Sequence, residues 1–543
     1  MVLGTATRSK VTKPGHRPSR SNAASKSTAT QIARAVLESH SDQGPRGPNA
    51  SAIGYRLQIS CDYGTRTLPV AFRVVGHGSG GEEQAPSLVS IREIAFANRD
   101  YAAPQKIAFT SAAKGKRKMF WGAEVDDALK SGKVPAENVI EMWKLLLYNT
   151  HTDTPTVKQI RDQLARLGYS ISELITLHLI RVRKAIKERA ALSLQGIYEN
   201  VENMPMHVLL SVPALWKSPA CRLMTAAAKE AGFEHVELIP EPEAAAALFT
   251  HRWKDTLRTG YEIGDEMLVV DIGGGTGDFV RLRFESDLQK DGAEVKLRNA
   301  GNASGALCGS EIVNERFLAW LMEYPENEDK SFPRICADLG MSEVACLKKA
   351  SELFETLKHG FSLSEAPSQG ITILGDQGAI RDHWFVTVTS ANMVSFFAPV
   401  LQLMQQAILQ QLDSGSVKTM YITGGFAKSE YIVRQLQKFC KPRKVTIADA
   451  KSEPRSERSV SNGALLRWHE LKDRGFTPDG TFGIAMIENY DPLVHADATV
   501  MNGRVERDRF TDELIVYERW LPLTDKVSIL CLTIFPVANV YAD

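Results

Sequence analysis

The stretch LVVDIGGGTGDFVRL (268–282) limits what this chain can fold into more than any other. Its continuous apolar run reads as a buried strand, ending on Asp271 and followed by Gly273, Gly274, Gly275 and Thr276. A return strand then carries Asp278. Glycines let backbone N–H groups approach phosphate oxygens closely, and a threonine hydroxyl adds a donor. Carboxylates at strand tips can hold the waters of a hydrated magnesium. A dinucleotide loop fails on spacing: counting G-x-G-x-x-G from Gly273 puts Asp278 where the third glycine belongs, and no G-x-x-x-x-G-K-[ST] loop is present.

The same plan occurs earlier in LQISCDYGTRTLPVAF (57–72), where an apolar strand runs into Asp62, turns at Gly64 and Thr65, passes Arg66 and returns. Taken alone, Asp-x-Gly also makes ordinary turns. Its repetition implies an internal duplication of a phosphate-binding hairpin, with two tips that would grip a triphosphate between them. A third element, MYITGGFAKSEYIVRQL (420–436), is a β-branched strand, then Gly424, Gly425, Phe426 and Lys428, then a helical run. Such a junction offers a place for a flat base to lie, or is any strand-to-helix turn.

With 543 residues the chain is too long for one hydrophobic core and long enough for two lobes. A formal charge of +1 asks for no nucleic-acid partner. The seven cysteines are scattered and never spaced C-x-x-C, so neither a zinc site nor a disulfide framework is expected, and a reducing compartment is the simpler reading. The apolar run at 527–540 contains Pro536 and falls short of the roughly 20 residues that cross a bilayer, so no membrane span is expected. The basic, Ser-rich first fifty residues cannot bury a core and read as a disordered tail. A mitochondrial presequence shares that composition, but Pro14, Gly15 and Pro18 interrupt an amphipathic helix. A cytoplasmic protein is expected, with the mitochondrial address left open.

In order and spacing, the three glycine elements resemble the two phosphate motifs and the adenosine motif of the heat shock protein 70 family, most closely its divergent branch of large actin-like ATPases. VLLSVPALW (208–216), IPEPEAAAALF (239–249), GALCGSEIVNERFLAWL (305–321) and LFETLKHGFS (353–362) resemble further segments of that family. The resemblance covers about 53–467. It implies an α/β, two-lobed actin-like ATPase fold of duplicated ribonuclease H-like lobes, with helical insertions, one or two of them within 156–198. The expected organisation is a tail (1–50), lobe I (51–255), lobe II (256–470) and a short β-rich extension (471–543). Strands are expected in that extension near Phe482 and at 513–517. It is too short for a β-sandwich of about 100 residues, so a peptide clamp under nucleotide control is not expected.

The resemblance also implies ATP or ADP and Mg2+ as ligands, with protein clients or co-chaperones as partners and neither nucleic acid nor membrane. Asp62 and Asp271 would hold magnesium through water, Glu241 would order the metal's waters, and Asp271 or Asp278 would accept a proton from the attacking water. Gly64, Thr65, Gly273, Gly274, Gly275, Thr276, Gly309 and Ser310 would surround the phosphates. Lys144 is the best match for the lysine that positions water, a surface lysine being the alternative. Glu355, Lys358 and Ser362 carry over to the helix that presses on adenosine, and with His359 they fall on one helical face; a solvated charged face is the alternative. Gly424, Gly425, Phe426 and Lys428 would lie at the nucleoside. The chain departs from the family where Arg66 replaces a second threonine, which puts a cation near the phosphates that would help hold them or point away, and where Phe426 replaces a serine and His359 an arginine. The expected function is an ATP-driven chaperone-like switch with weak magnesium-dependent hydrolysis. A non-hydrolysing interaction module and a small-molecule kinase of the same superfamily are the alternatives.

Overall fold

The computed structural model describes residues 54–76, 90–96, 100–148 except 115, 154–253 except 217, 257, 260–286, 295–324 except 302, 331–362, 368–375, 383–449 and 458–473. Beyond these it describes the strand segments 482–489, 505–507 and 514–524. The expected N-terminal tail and the last apolar run lie outside the described residues.

Two sheets share one pairing plan. In the first, β1 (Tyr55–Cys61) and β2 (Thr67–Gly76) form an antiparallel hairpin, β3 (Met206–Val212) runs parallel to β1, and β4 (His235–Pro240) runs parallel to β3. In the second, β5 (Glu266–Ile272) and β6 (Gly277–Phe284) form the hairpin, β7 (Val417–Thr423) runs parallel to β5, and β8 (Thr446–Asp449) runs parallel to β7. Short strands extend each sheet beyond β2 or β6. Every residue of β5 is buried, which is why EMLVVDI is nearly unbroken apolar sequence: a strand covered on both faces cannot alternate with polar groups. β1 is also buried from Arg56 to Cys61, but Arg56, Gln58 and Ser60 alternate with Leu57, Ile59 and Cys61, so one of its covered faces is polar.

Each sheet has its own core. The first gathers Ile59, Phe72, Val208 and Leu210 against α1 (Pro155–Leu167), α2 (Ile171–Ser193) and α3 (Ser218–Glu230). Of the one or two helices expected within 156–198, the chain forms two, α1 and α2. Thr154 caps α1, left-handed Gly168 (φ 73°) ends it, and a Ser170–Glu173 capping box starts α2. α4 (Glu241–Arg252) touches strands of both sheets. Its buried Ala244, Ala245 and Ala246 keep it thin enough to lie between them. The second core joins Leu268, Phe279 and Ile422 to α5 (Glu311–Met322), α6 (Glu343–Gly360), α7 (Ser390–Asp413) and α8 (Glu430–Cys440).

By contact, the chain divides after Arg467. In the second unit, Phe482–Asn489, Val505–Arg507 and Leu514–Thr524 form an antiparallel sheet with the longest strand in the middle. Strands thus lie near both positions expected from sequence. Among the described residues, no helix is long and apolar enough to cross a membrane.

Candidate functional site

The two hairpin tips touch. A Cβ added to Gly274 would lie 2.5 Å from Cγ of Arg66, and one on Gly275 would lie 3.0 Å from the Thr65 methyl and 3.1 Å from its hydroxyl. Only glycine lets the second loop come so close to the first. Gly64 holds the first turn, donating its N–H to Asp62 O at 2.9 Å.

Four carboxylates converge beneath this contact: Asp62 just past β1, Glu241 opening α4, Asp271 near the end of β5, and Asp278 opposite it on β6. Lys144 Nζ donates to Glu241 Oε1 at 2.6 Å, and the two side chains are 1% and 10% exposed, so the surface-lysine alternative is excluded. Lys144 also lies 5.6 Å from the Trp216 ring centroid. It is carried on a single 3-10 turn, Trp143–Leu147, entered through left-handed Met142 (φ 57°). Ser211 donates its hydroxyl to Asp62 Oδ1 at 2.9 Å, and Asp278 Oδ1 accepts from Ala214 N at 2.9 Å.

One lysine cannot neutralise four carboxylates in a buried site. Burial, then Glu241, push Asp62 up against the pull of Lys144 and Ser211, to about 7. Asp278 also rises to about 7, through burial and Glu241, opposed by Lys144 and the N–H groups of Ala214 and Leu215. Asp271 is raised well above the usual carboxylate range by burial, with Glu241, Asp62 and Asp278 adding to it. These groups titrate as one cluster.

The other expected residues fall around this centre. Gly309 and Ser310 abut the glycine loop, but Gly309 N, Ser310 N and Glu311 N donate to the carbonyls of Gly275, Gly273 and Gly274 at 3.2, 3.1 and 2.9 Å. The helix start is bonded to the loop, so these donors are engaged within the protein. Thr276 is buried beside them. Gly424 (φ +92°) approaches so closely that a Cβ would meet Asp271 Oδ1 at 2.4 Å. Gly425 and Lys428 are exposed on the 3-10 turn Gly425–Lys428. Phe426 corrects the sequence expectation: it is buried in the second core and stacks against Phe397, because an aromatic side chain at this turn gains more from the core than from solvent. Its side chain is therefore enclosed by the second core rather than presented at the surface of the turn.

Lys358 is fully buried and donates to Glu355 Oε1 at 2.8 Å and Asn314 Oδ1 at 2.9 Å, which excludes the solvated-face alternative for it. His359 Nε2 stands 3.4 Å from Glu355. Ser362 is a second correction: α6 ends at Gly360 and Phe361 is extended, so helical spacing does not carry Ser362 onto the face of Glu355, Lys358 and His359.

Several residues went unrecognised in the sequence. Ser211 is the lone hydroxyl in an apolar strand, a signal that could have marked it. Glu311, the acid that opens α5, pairs with Arg66. Tyr63 accepts from Trp143 Nε1 at 3.0 Å and lies 3.2 Å from Nδ1 of buried His178, which burial holds near a pKa of about 3 and therefore neutral. No local pattern joins three aromatic positions so far apart in the chain.

Residues 45–189 match a family described as "Domain of unknown function (DUF8340) N-terminal domain". Over 272 residues the chain is 23% identical to "Heat shock protein 88" of Dictyostelium discoideum, covering 49% of this chain and 32% of that protein. Over 276 residues it is 24% identical to "Chaperone protein HscA homolog" of Acidithiobacillus ferrooxidans, covering 49% of this chain and 38% of that protein. The chain thus spans about a third of the length of the curated relatives it matches. These matches support a heat shock protein 70-like relationship, and the mixed α/β architecture is compatible with an actin-like ATPase fold.

Proposed function

We propose that this chain binds ATP and ADP with magnesium at its two hairpin tips and acts as a chaperone-like nucleotide switch built from two duplicated actin-like lobes, 51–255 and 256–470. The observation that carries this reading is the contact of two aspartate-tipped hairpins from like-ordered sheets above a buried lysine–glutamate pair. Hydrogen bonds from glycine loops and charge neutralisation are what phosphoryl transfer needs most. Among the described residues no three His, Cys, Asp or Glu side chains could hold a metal directly. A carboxylate-rich site of this kind suits a hard cation kept at a distance by its own waters. Asp62 and Asp271 would hold those waters and Glu241 would orient them. Magnesium, when bound, would supply positive charge to the phosphates.

Thr65, Thr276 and the loop of Gly273, Gly274 and Gly275 line the phosphate side. Lys144 would position the attacking water, and Asp271 or Asp278, each made a stronger base by burial and the neighbouring carboxylates, would take its proton. Protein clients or co-chaperones are the expected partners of such a switch. Single-turnover hydrolysis tests the catalytic half: Asp271→Asn should lower the rate by orders of magnitude in a folded protein. Unchanged turnover would remove this mechanism. Binding without turnover in the unmodified protein would instead leave a non-hydrolysing module.

A further inference from the structure

Arg66 leaves the first hairpin tip and crosses onto the second sheet's side of the site. Its stem covers Gly274, and its guanidinium pairs with the carboxylate of Glu311. Glu311 is fixed in turn: its backbone N–H is bonded to Gly274 O at 2.9 Å and its Oε2 accepts from Asn314 at 3.0 Å. Asn314 joins Glu355 and buried Lys358 in the same network. Arg66 is 33% exposed and Glu311 14%, so the carboxylate is the more enclosed partner. Glu141 and Glu355 add negative charge around the guanidinium, and Lys358 faces it with like charge. A cation from one hairpin is thereby neutralised by an acid from the other sheet's helix, directly over the glycine loop.

We infer that Glu311 is a built-in anion that occupies the Arg66 phosphate contact, so that a phosphate-bearing ligand binds by displacing it. This rests on the nucleotide-binding reading above. A phosphate over Gly274 must share Arg66 with Glu311 and face its charge at short range, where screening is weak. The nucleoside carries no such charge and is indifferent to the carboxylate. Glu311 therefore sets a threshold that depends on ligand phosphate, an autoinhibitory contact selective for polyanions.

The test is calorimetric titration of the full chain with Mg-ATP, Mg-ADP, tripolyphosphate and adenosine. Glu311→Gln keeps the backbone bond to Gly274 and removes the charge. It should tighten ATP, ADP and tripolyphosphate about tenfold, which is about 1.4 kcal/mol, and leave adenosine unchanged. Adding Arg66→Ala to that variant should cancel the gain. Glu311→Asp, which draws the charge back by one methylene, should give a smaller rise, and it serves where Glu311→Gln does not fold. Nucleotide binding equal in wild type and variants would make the pair a structural strut and overturn the inference. A parallel rise for adenosine would also overturn it, pointing to general loosening. Failure of every protein to bind any nucleotide would overturn the nucleotide-binding reading itself.

Discussion

The two aspartate tips read alike in sequence yet are held by different means. Asp62 is held by side chains: Ser211 bonds it, and neighbouring Tyr63 is tied to Trp143 and His178. The Asp271 tip is held by backbone: its glycine loop is bonded to the start of α5, and Gly424 closes on Asp271 itself. The two sides also carry different charge patterns: the first sheet's side supplies Asp62, Lys144 and Arg66, while Asp271, Asp278, Glu311 and Lys358 come from the second sheet and its helices. Two hairpins of one plan therefore differ in what holds them and in the charges set around them.

The largest effect expected from this division is at Lys144. Lys144→Ala leaves Glu241 buried beside three carboxyls without its partner, a loss of about 3–5 kcal/mol at pH 8. At pH 5.5 the loss should shrink, because the cluster can take up protons in place of the lysine's charge. Denaturant unfolding at both pH values checks this. Equal losses would break the claim that Lys144 offsets the cluster.

Next comes the backbone contact of the second tip. A Cβ on Gly309 would stand 2.4 Å from Gly274 and Gly275 backbone atoms, which cannot give way as a side chain can. Gly309→Ala should cost on the order of 1–3 kcal/mol. Gly425, with nothing near its Cβ position, should tolerate alanine to within about 0.5 kcal/mol. A comparison of melting curves decides, and equal effects would dissolve the contrast between backbone-held and open glycines.

The carboxylates give a smaller effect with a definite sign. Asp62 and Asp278 keep their protons up to about pH 7 in the folded chain, whereas an unfolded chain releases them near pH 4. Protein freed of nucleotide and magnesium therefore has this contribution in full below about pH 4 and loses it as pH rises through 7. Asp278→Asn, neutral throughout, should flatten that slope and stabilise the protein at pH 8 by on the order of 1 kcal/mol. A slope unchanged by the substitution would contradict the raised value. A further effect is at Ser211: Ser211→Ala removes the hydroxyl that donates to Asp62 and accepts from Tyr63 N, each bond worth about 1 kcal/mol, and should lift Asp62 further. NMR titration of the Asp62 carboxyl would reveal any failure of that shift.

Both hairpins, the insertion helices and the strand-to-helix junction at Gly424 were legible because each rests on local pattern: continuous apolar runs, glycines and caps. The carboxylates and Lys144 were also named from their segments. What sequence left hidden was orientation. Gly360 in LFETLKHGFS is a helix-stop signal that placing Ser362 on the helical face passed over, whereas nothing in TGGFAK shows that Phe426 turns into the core. Glu311 as a partner depends on how two sheets meet, and Ser211 on how β3 aligns beside β1, neither of which periodicity within one element encodes.

The measurement closest to the central claim is calorimetric titration of the intact chain with ATP, with and without magnesium, against a Gly274→Val variant. A bulky side chain there drives into the Cγ of Arg66, so the arginine must swing aside and the phosphate contact is lost; the comparison is made on a variant shown to be folded by its melting curve. The unmodified chain should bind ATP saturably and more tightly with magnesium, and folded Gly274→Val should not bind it. Undiminished ATP affinity in that variant, or no binding by the unmodified chain, would contradict the central claim.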